Sequence, residues 1–245
     1  MCTCRQLSGW FLARMLLSGI FRYVVGLFAV FGGQELYICT GIVVDRGIIL
    51  TAAHCLNDLI PDSQYRICYA SANLVNQKQR KCTTIVAKKV QKRFKNEETT
   101  GPFDFALLKA KGQIRSARTA IARLDFRTSS TPESGRPGFS VGFGRTPSGW
   151  DGRLRFLRVN HEVCGGFDGA RYFRCIVSDR QDGRGGLCSG DSGGPLVEGR
   201  ISVPHKQRVI GILSWALQCP VQQDPAVNSE AASRDCRNES TARSF

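Results

Sequence analysis

The sequence predicts an all-β fold, built either as a sandwich or as barrels. Short apolar runs recur along the chain, with Gly, Pro, Asn or Asp between them, which is typical of such folds. We find no long helical pattern of apolar residues and no repeat of fixed period. Hydrophobic residues make up 42% of the 245 residues, which is enough for a full-sized core and excludes a wholly disordered chain.

The predicted strands follow one another along the chain. They occupy residues 42–44, 47–50, 66–69, 83–90, 105–108, 139–143, 154–159, 174–177, 195–197 and 209–215. Residues 23–31 are interpreted as a buried strand in preference to part of a signal peptide, and residues 52–56 as a single turn. Residues 128–137 are rich in Ser, Thr, Pro, Gly and Glu and form the best linker candidate, which suggests two halves of similar architecture.

The two ends of the chain give weaker signals. Arg14 and Arg22 interrupt the apolar stretch at residues 10–31, so we expect no transmembrane span. Residues 1–22 form an N-terminal segment that would be a signal or leader remnant, although no clean cleavage site follows the short apolar run. Residues 228–245 are polar without a period, so we expect an atypical tail.

The chain is strongly basic, with 34 Lys and Arg against 20 Asp and Glu and a net charge of +14. This excess favours acidic glycans, nucleic acid or anionic membranes as partners. The basic residues gather in two regions, at 78–95 and at 145–184. The first lacks aromatic interleaving, so we expect no specific nucleic-acid site there, but either a solvated face or a contact with a heparin-like acidic glycan.

Eleven cysteines are too many for an ordinary cytosolic protein, so the sequence predicts a secreted domain with several disulfides. The count is odd, so at least one thiol is unpaired, joins another chain or lies outside the fold.

Three segments carry the candidate chemistry: residues 51–55 (TAAHC), 104–108 (DFALL) and 190–196 (GDSGGPL). A serine hydroxyl is a poor nucleophile until a base removes its proton, and histidine suits that role. A carboxylate must then fix the imidazole and stabilise its charged form. The chain supplies His54, Asp104 and Ser192 for these roles, in that order.

Glycine flanks the candidate nucleophile on both sides, at Gly190 and at Gly193–Gly194. Glycine permits backbone conformations that other residues rarely adopt. A turn of this kind can aim the N–H groups of Gly190 and Ser192 at one point and form an oxyanion hole.

At these residues the sequence resembles the chymotrypsin-like (trypsin-fold) serine endopeptidases, over roughly residues 23–227. The resemblance implies two six-stranded antiparallel β-barrels, at about 23–127 and 138–227, packed together with the active site between them. It implies that His54 is the general base, Asp104 the orienting acid and Ser192 the nucleophile of an acyl-enzyme mechanism. It also implies a protein or peptide substrate, macromolecular protease inhibitors as partners, a monomer, and neither a metal nor an organic cofactor.

The family pattern also indicates the substrate-binding residues. Ser214, Trp215 and Ala216 resemble the family's Ser-Trp-Gly segment, and Ala226 stands where glycine is frequent. Trypsin-like members carry an Asp where this chain has Gly186, which Leu187 follows. Without that charge nothing holds a Lys or Arg side chain, so we expect cleavage after small or medium apolar P1 residues.

Disulfide partners are predicted for eight of the eleven cysteines. The resemblance implies the pairs Cys39–Cys55, Cys164–Cys175 and Cys188–Cys219, and we infer Cys68–Cys82 as a hairpin staple. Gly138 and Glu198 occupy the two positions of a family bridge that this chain lacks. Cys2, Cys4 and Cys236 remain without predicted partners.

The chain departs from the family at activation. Active members release an Ile-Val-Gly-Gly-like terminus whose α-amine pairs with the Asp before the serine, here Asp191. No such motif stands at the right distance, so the segment is missing from this chain, activation differs, or the protein stays zymogen-like. The alternative function is therefore a catalytically silent binding or regulatory protein.

Two further expectations concern the rest of the chain. We expect truncated or unusual ends, and we expect His161 and His205 to be surface histidines.

Overall fold

The computed structural model describes residues 19–95, 103–125, 136–146, 148–164, 173–178, 186–216 and 239–244. These residues form twelve β-strands and three short 3-10 turns. The strands close into two six-stranded antiparallel barrels, which confirms the predicted fold class. No helix within the described ranges is both long and apolar enough to cross a membrane.

The first barrel is made by the strands from the N-terminal half of the chain. They are β1 (Val24–Phe31), β2 (Gln34–Asp45), β3 (Ile48–Thr51), β4 (Tyr65–Tyr69), β5 (Lys81–Val90) and β6 (Ala106–Ala110). Their order around the barrel is β1-β2-β3-β6-β5-β4, and antiparallel pairing of β4 with β1 closes it. This closure leaves no strand edge unpaired.

The second barrel has the same strand number. Its strands are β7 (Arg136–Gly142), β8 (Arg155–Val163), β9 (Phe173–Ser178), β10 (Pro195–Glu198), β11 (Arg208–Ala216) and β12 (Glu239–Ser244). Their order is β7-β8-β9-β12-β11-β10, and β10 pairs with β7 to close the barrel. The candidate nucleophile Ser192 lies on the turn that enters β10.

Each predicted apolar run overlaps one of the strands β2 to β11, and the predicted strand at 23–31 overlaps β1. The polar strand β12 is the one that the pattern did not indicate, because it lies inside the stretch interpreted as a tail. It pairs with both β9 and β11, so backbone hydrogen bonding rather than apolar periodicity assigns it to the barrel. Phe21, inside the predicted N-terminal segment, is buried in the core. The domain limits remain predictions.

Two apolar clusters form the core. The larger one fills the first barrel and also takes in residues of the second barrel such as Val141, Val197 and Ile212. The smaller one, inside the second barrel, contains five buried residues: Val159, Ile176, Leu187, Leu196 and Leu213.

The second barrel also buries polar side chains. His161, expected at the surface, is only 2% exposed, because β8 directs it inward beside Gly138. Its Nε2 lies 3.3 Å from Glu198 Oε1, and neither ring nitrogen makes a hydrogen bond within the described part of the chain. His205 is exposed, as expected.

Both barrels contain disulfides. Cys39–Cys55 and Cys68–Cys82 lie in the first barrel, and Cys164–Cys175 lies in the second. These are three of the four pairs expected from the sequence. Cys188 is also disulfide-bonded, and its expected partner Cys219 lies outside the described residues.

Candidate active site

His54 and Asp104 come together at one end of the first barrel. His54 lies on the 3-10 turn Ala53–Cys55 after β3, and Asp104 lies just before β6. Two hydrogen bonds of 2.8 Å join them, from the His54 backbone N–H to Asp104 Oδ1 and between His54 Nδ1 and Asp104 Oδ2. The backbone bond fixes the turn and the ring bond fixes the imidazole, so Nε2 is the ring nitrogen left to accept a proton.

Asp104 is held as a carboxylate in a buried site. Its side chain is 1% exposed, and Ser214 donates a 2.5 Å hydrogen bond to Oδ2. Burial alone would raise the pKa of Asp104, but the hydrogen bonds and the charge of His54, together with the Ser214 hydroxyl, hold that pKa below its ordinary value. An ionised Asp104 can therefore stabilise a positive charge on His54.

Ser192 lies close to this pair but is not bonded to it. Its hydroxyl is 3.5 Å from the carbonyl oxygen of Ser214, the same residue whose side chain contacts Asp104. No hydrogen bond joins Ser192 Oγ to His54 Nε2 among the described residues. Hydrogen bonds between a nucleophile and its base are often long without substrate and tighten when substrate binds.

The backbone around Ser192 has left-handed glycines. Gly190 has φ +95° and Gly193 has φ +78°. A Cβ at Gly193 would approach both Thr51 Oγ1 and the Thr40 carbonyl oxygen, so the turn can press against the first barrel only with glycine at this position. Ser192 follows the sharp turn and remains partly exposed.

The amides of Gly190 and Ser192 are available as donors. Neither N–H donates to another group within the described part of the chain. The carbonyl of Ser189 accepts a 2.9 Å hydrogen bond from the Arg145 N–H. Because a trans peptide points its C=O and N–H in opposite directions, this bond turns the Gly190 N–H away from Arg145.

Asp191 has a different environment from Asp104. Its Oδ1 accepts from the Gly144 N–H at 2.8 Å, and its Oδ2 accepts from the Cys188 N–H at 2.9 Å. Burial raises the pKa of Asp191 to about 6, against the lowering effect of these two amides. No Lys, Arg or His side chain forms a salt bridge with it among the described residues.

The predicted substrate-binding residues lie on two described segments, except for one residue, which lies outside the described residues. Ser214, Trp215 and Ala216 lie on β11. Gly186 precedes Leu187, whose side chain is buried in the apolar cluster of the second barrel. Ala226 lies outside the described residues.

Sequence reasoning missed two first-barrel residues that contact the nucleophile loop, Tyr37 and Thr40. The Tyr37 hydroxyl and Thr40 Oγ1 both lie within hydrogen-bond distance of the Gly190 carbonyl oxygen. No local motif marks them, because each is about 150 residues from Gly190 in the chain.

Two groups of side chains lie close enough together to suggest a metal site: Cys39, His54 and Cys55, and Glu35, Cys68 and Cys82. All four cysteines are in disulfides, so none offers a thiolate to a metal ion.

The chain is similar to known proteins of one family. A family model described as Trypsin matches residues 19–234. Trypsin 5G1 of Aedes aegypti is 28% identical over 207 residues, which cover 80% of this chain and 72% of that protein. The vitellin-degrading protease of Bombyx mori is 26% identical over 202 residues, covering 79% of this chain and 72% of that protein. Coagulation factor XII of Rattus norvegicus is 26% identical over 242 residues, covering 89% of this chain and 40% of that protein.

The family match spans most of the chain and includes every strand except β12. The two closed barrels and the disulfides agree with it. The chain belongs to the trypsin family and is a serine endopeptidase.

Proposed function

We propose that this endopeptidase cleaves peptide bonds with His54 as general base, Asp104 as orienting acid and Ser192 as nucleophile. The observation that carries the proposal is the double anchoring of His54 on Asp104, through its ring and through its backbone N–H. Because Nδ1 is held by the carboxylate, Nε2 is the ring nitrogen that can act as the base. The amides of Gly190 and Ser192 support the same conclusion, since neither donates to a described residue.

In the proposed reaction, His54 Nε2 accepts the proton of the Ser192 hydroxyl while Ser192 Oγ bonds to the substrate carbonyl carbon. The Gly190 and Ser192 amides donate hydrogen bonds to the resulting oxyanion. The peptide C–N bond then breaks, and His54 passes its proton to the leaving amine. Water attacks the acyl-enzyme with His54 again as base, which releases the carboxylic acid product and restores the serine.

We further propose small or medium apolar P1 residues. Gly186 brings no charge, and Leu187 adds apolar bulk packed into the second barrel. A pocket without an anion cannot compensate for the desolvation of a Lys or Arg side chain.

Peptide amides that carry Ala, Val, Leu, Phe or Arg at P1 test the roles and the preference together. The purified protein is assayed before and after limited proteolysis. We expect the fastest hydrolysis with Ala, Val or Leu, no hydrolysis by Ser192→Ala, and a roughly 10⁴-fold lower kcat for Asp104→Asn. Asp62→Asn is the matched control, because Asp62 is a surface carboxylate 3.7 Å from Lys88. Full activity in Ser192→Ala, or fastest cleavage after Arg, would contradict the proposal.

The second candidate is a catalytically silent binding or regulatory protein with the same fold. It is favoured by the lack of a hydrogen bond between Ser192 and His54 and by the lack of a salt bridge at Asp191, both within the described residues. This candidate predicts no hydrolysis of any of the five peptides, with or without proteolysis, by a protein that melts cooperatively.

We also propose an acidic glycan as a partner of the first barrel. Lys89 on β5 and Lys109 on β6 are exposed on adjacent strands, and neither has an acidic partner in the described part of the chain. Lys92 and Lys111 extend the same basic region. Their unpaired charges would release counterions when a sulfated chain binds.

Elution from heparin resin tests this surface. We expect Lys89→Ser/Lys109→Ser to elute at lower salt than wild type, and the charge-matched control Arg200→Ser/Lys206→Ser to elute close to wild type. Equal shifts for both double variants would indicate net charge alone and contradict a defined surface.

Secretion is part of the proposal, since the disulfides need an oxidising compartment. We also propose that the protein is a monomer and that macromolecular inhibitors which mimic substrate bind to it.

A further inference from the structure

Tyr37 connects the first barrel to the loop that precedes the nucleophile. It lies on β2, and its hydroxyl donates a 2.6 Å hydrogen bond to the Gly190 carbonyl oxygen. Thr40 Oγ1 is 2.8 Å from the same oxygen and 2.9 Å from the Tyr37 hydroxyl. A carbonyl oxygen has two lone pairs, so it can accept from both hydroxyls.

The Tyr37 ring is itself fixed by packing. It stacks on Trp150 with centroids 4.8 Å apart and planes 14° apart, and it makes an edge contact with Phe28 at 5.4 Å. The Trp150 indole N–H donates to the Phe143 carbonyl at 2.9 Å. The hydroxyl therefore projects from a rigid base.

The ring also limits where the loop can lie. A Cβ at Gly190 would be 2.6 Å from Tyr37 Cε1, so the glycine backbone rests directly against the ring edge. Three carbonyls of the loop are held from outside it: Ser189 by the Arg145 N–H, Gly190 by Tyr37 and Thr40, and Ser192 by the Thr40 N–H at 3.0 Å.

We propose that Tyr37 is a positioning residue for the oxyanion donors, an inference that rests on the proposed roles of Gly190 and Ser192. Its hydroxyl fixes the plane of the peptide that follows Gly190, while the Arg145 N–H fixes the plane that precedes it. With both planes held, the Gly190 N–H keeps the direction needed to meet the Ser192 N–H at one point.

The alternative is that Tyr37 only fills the core. In that case its ring contacts matter and its hydroxyl does not. Tyr37→Phe separates the two roles, because it keeps the stacked ring and removes only the donor. Tyr23→Phe is the matched control: Tyr23 is buried in the same barrel, and its hydroxyl has no hydrogen-bond partner among the described residues.

The kinetic test compares wild type, Tyr37→Phe and Tyr23→Phe on one apolar peptide amide. We expect kcat to fall at least tenfold in Tyr37→Phe with KM within about twofold, since the loss of an oxyanion donor costs about 10²–10³ and a displaced donor costs less. Affinity for a peptide boronic acid, which forms a tetrahedral adduct on the serine, should fall in parallel. Equal kcat values in the two variants, or a loss confined to KM, would overturn the proposal.

Amide hydrogen exchange provides a readout that does not depend on activity. We expect faster exchange of the amides at residues 186–194 in Tyr37→Phe than in Tyr23→Phe, with exchange in the strands of the first barrel unchanged. If the wild-type protein hydrolyses no peptide but this segment loosens, the proposed function fails, and what remains is that the Tyr37 hydroxyl orders the loop. If the wild-type protein is active and both kcat and exchange are unchanged in Tyr37→Phe, the positioning role fails alone.

Discussion

The two barrels have the same number of strands but different interiors. The first encloses a large apolar cluster, whereas the separate apolar cluster inside the second has five buried members among the described residues and lies beside the polar side chains of His161 and Ser140. On β10 and β11, neighbouring residues divide between the two clusters: Leu196 and Leu213 face the interior of the second barrel, and Val197 and Ile212 join the large cluster. Much of the second barrel's apolar surface therefore packs against the first barrel.

This difference indicates that the two barrels contribute differently to the site. The first barrel, with the larger apolar core, carries His54 and Asp104 and holds the loop of the second barrel through Tyr37 and Thr40. The second barrel supplies the loop with Ser192. A serine loop whose own barrel has a small core gains rigidity from contacts across the interface.

Truncation of one buried leucine in each barrel should give the largest change in the free energy of unfolding. Leu108→Ala in the first barrel and Leu196→Ala in the second remove equal side chains, and both are fully buried. We expect losses in the free energy of unfolding of about 2–5 kcal/mol, larger for Leu108→Ala, since a small core can relax around the cavity more easily. Urea denaturation measures both, and a larger loss for Leu196→Ala would contradict the comparison.

The carboxylates of Asp191 and Asp104 should respond to pH in opposite directions. Asp191 has its folded-state pKa raised from 3.8 to about 6, so its contribution to stability is present below about pH 4 and lost as pH rises through about 6. Asp104 has its folded-state pKa lowered, so its contribution is present above the unfolded pKa and lost as pH falls.

Urea denaturation between pH 3 and pH 7 tests these signs. Asp191→Asn should remove a decline of up to about 3 kcal/mol between pH 4 and pH 6, since two pK units correspond to about 2.7 kcal/mol. Asp104→Asn should keep the decline in stability between pH 4 and pH 6. It should remove the rise in stability that wild type shows as pH increases toward 4. An unchanged slope between pH 4 and pH 6 in Asp191→Asn would show that its carboxylate is not the titrating group.

Removal of one buried hydroxyl in each barrel should give the smallest effect. Thr51 Oγ1 donates a 2.8 Å hydrogen bond to the Thr40 carbonyl, whereas Ser140 Oγ has no partner among the described residues. Thr51→Val should cost about 1–3 kcal/mol of unfolding free energy, and Ser140→Ala should cost nothing or stabilise. A loss in Ser140→Ala as large as that in Thr51→Val would point to a partner for this hydroxyl in the folded protein.

Local patterns predicted much of the fold and the centre of the site. Apolar runs marked β2 to β11, because a strand with one buried face shows its period within a few residues. The short motifs around His54, Asp104 and Ser192 named the candidate triad, since each motif carries its own turn or strand entry.

Long-range contacts could not be predicted in this way. Tyr37 lies between two of the predicted strands and carries no motif, and its bond to Gly190 arises only when the two barrels pack. The strand β12 carries polar residues, so its place follows from pairing with β9 and β11 rather than from its composition. Ser214 was expected to bind substrate, and its hydroxyl bond to Asp104 depends on the barrel interface.

Reaction of the protein with a fluorophosphonate, followed by mass spectrometry of the modified peptide, tests most directly whether Ser192 is the nucleophile. Samples are compared before and after limited proteolysis, with His54→Ala as the variant that lacks the base. We expect a single adduct on Ser192 and much slower labelling in His54→Ala. No adduct on Ser192 in either wild-type sample, or labelling of His54→Ala at the wild-type rate, would contradict this expectation.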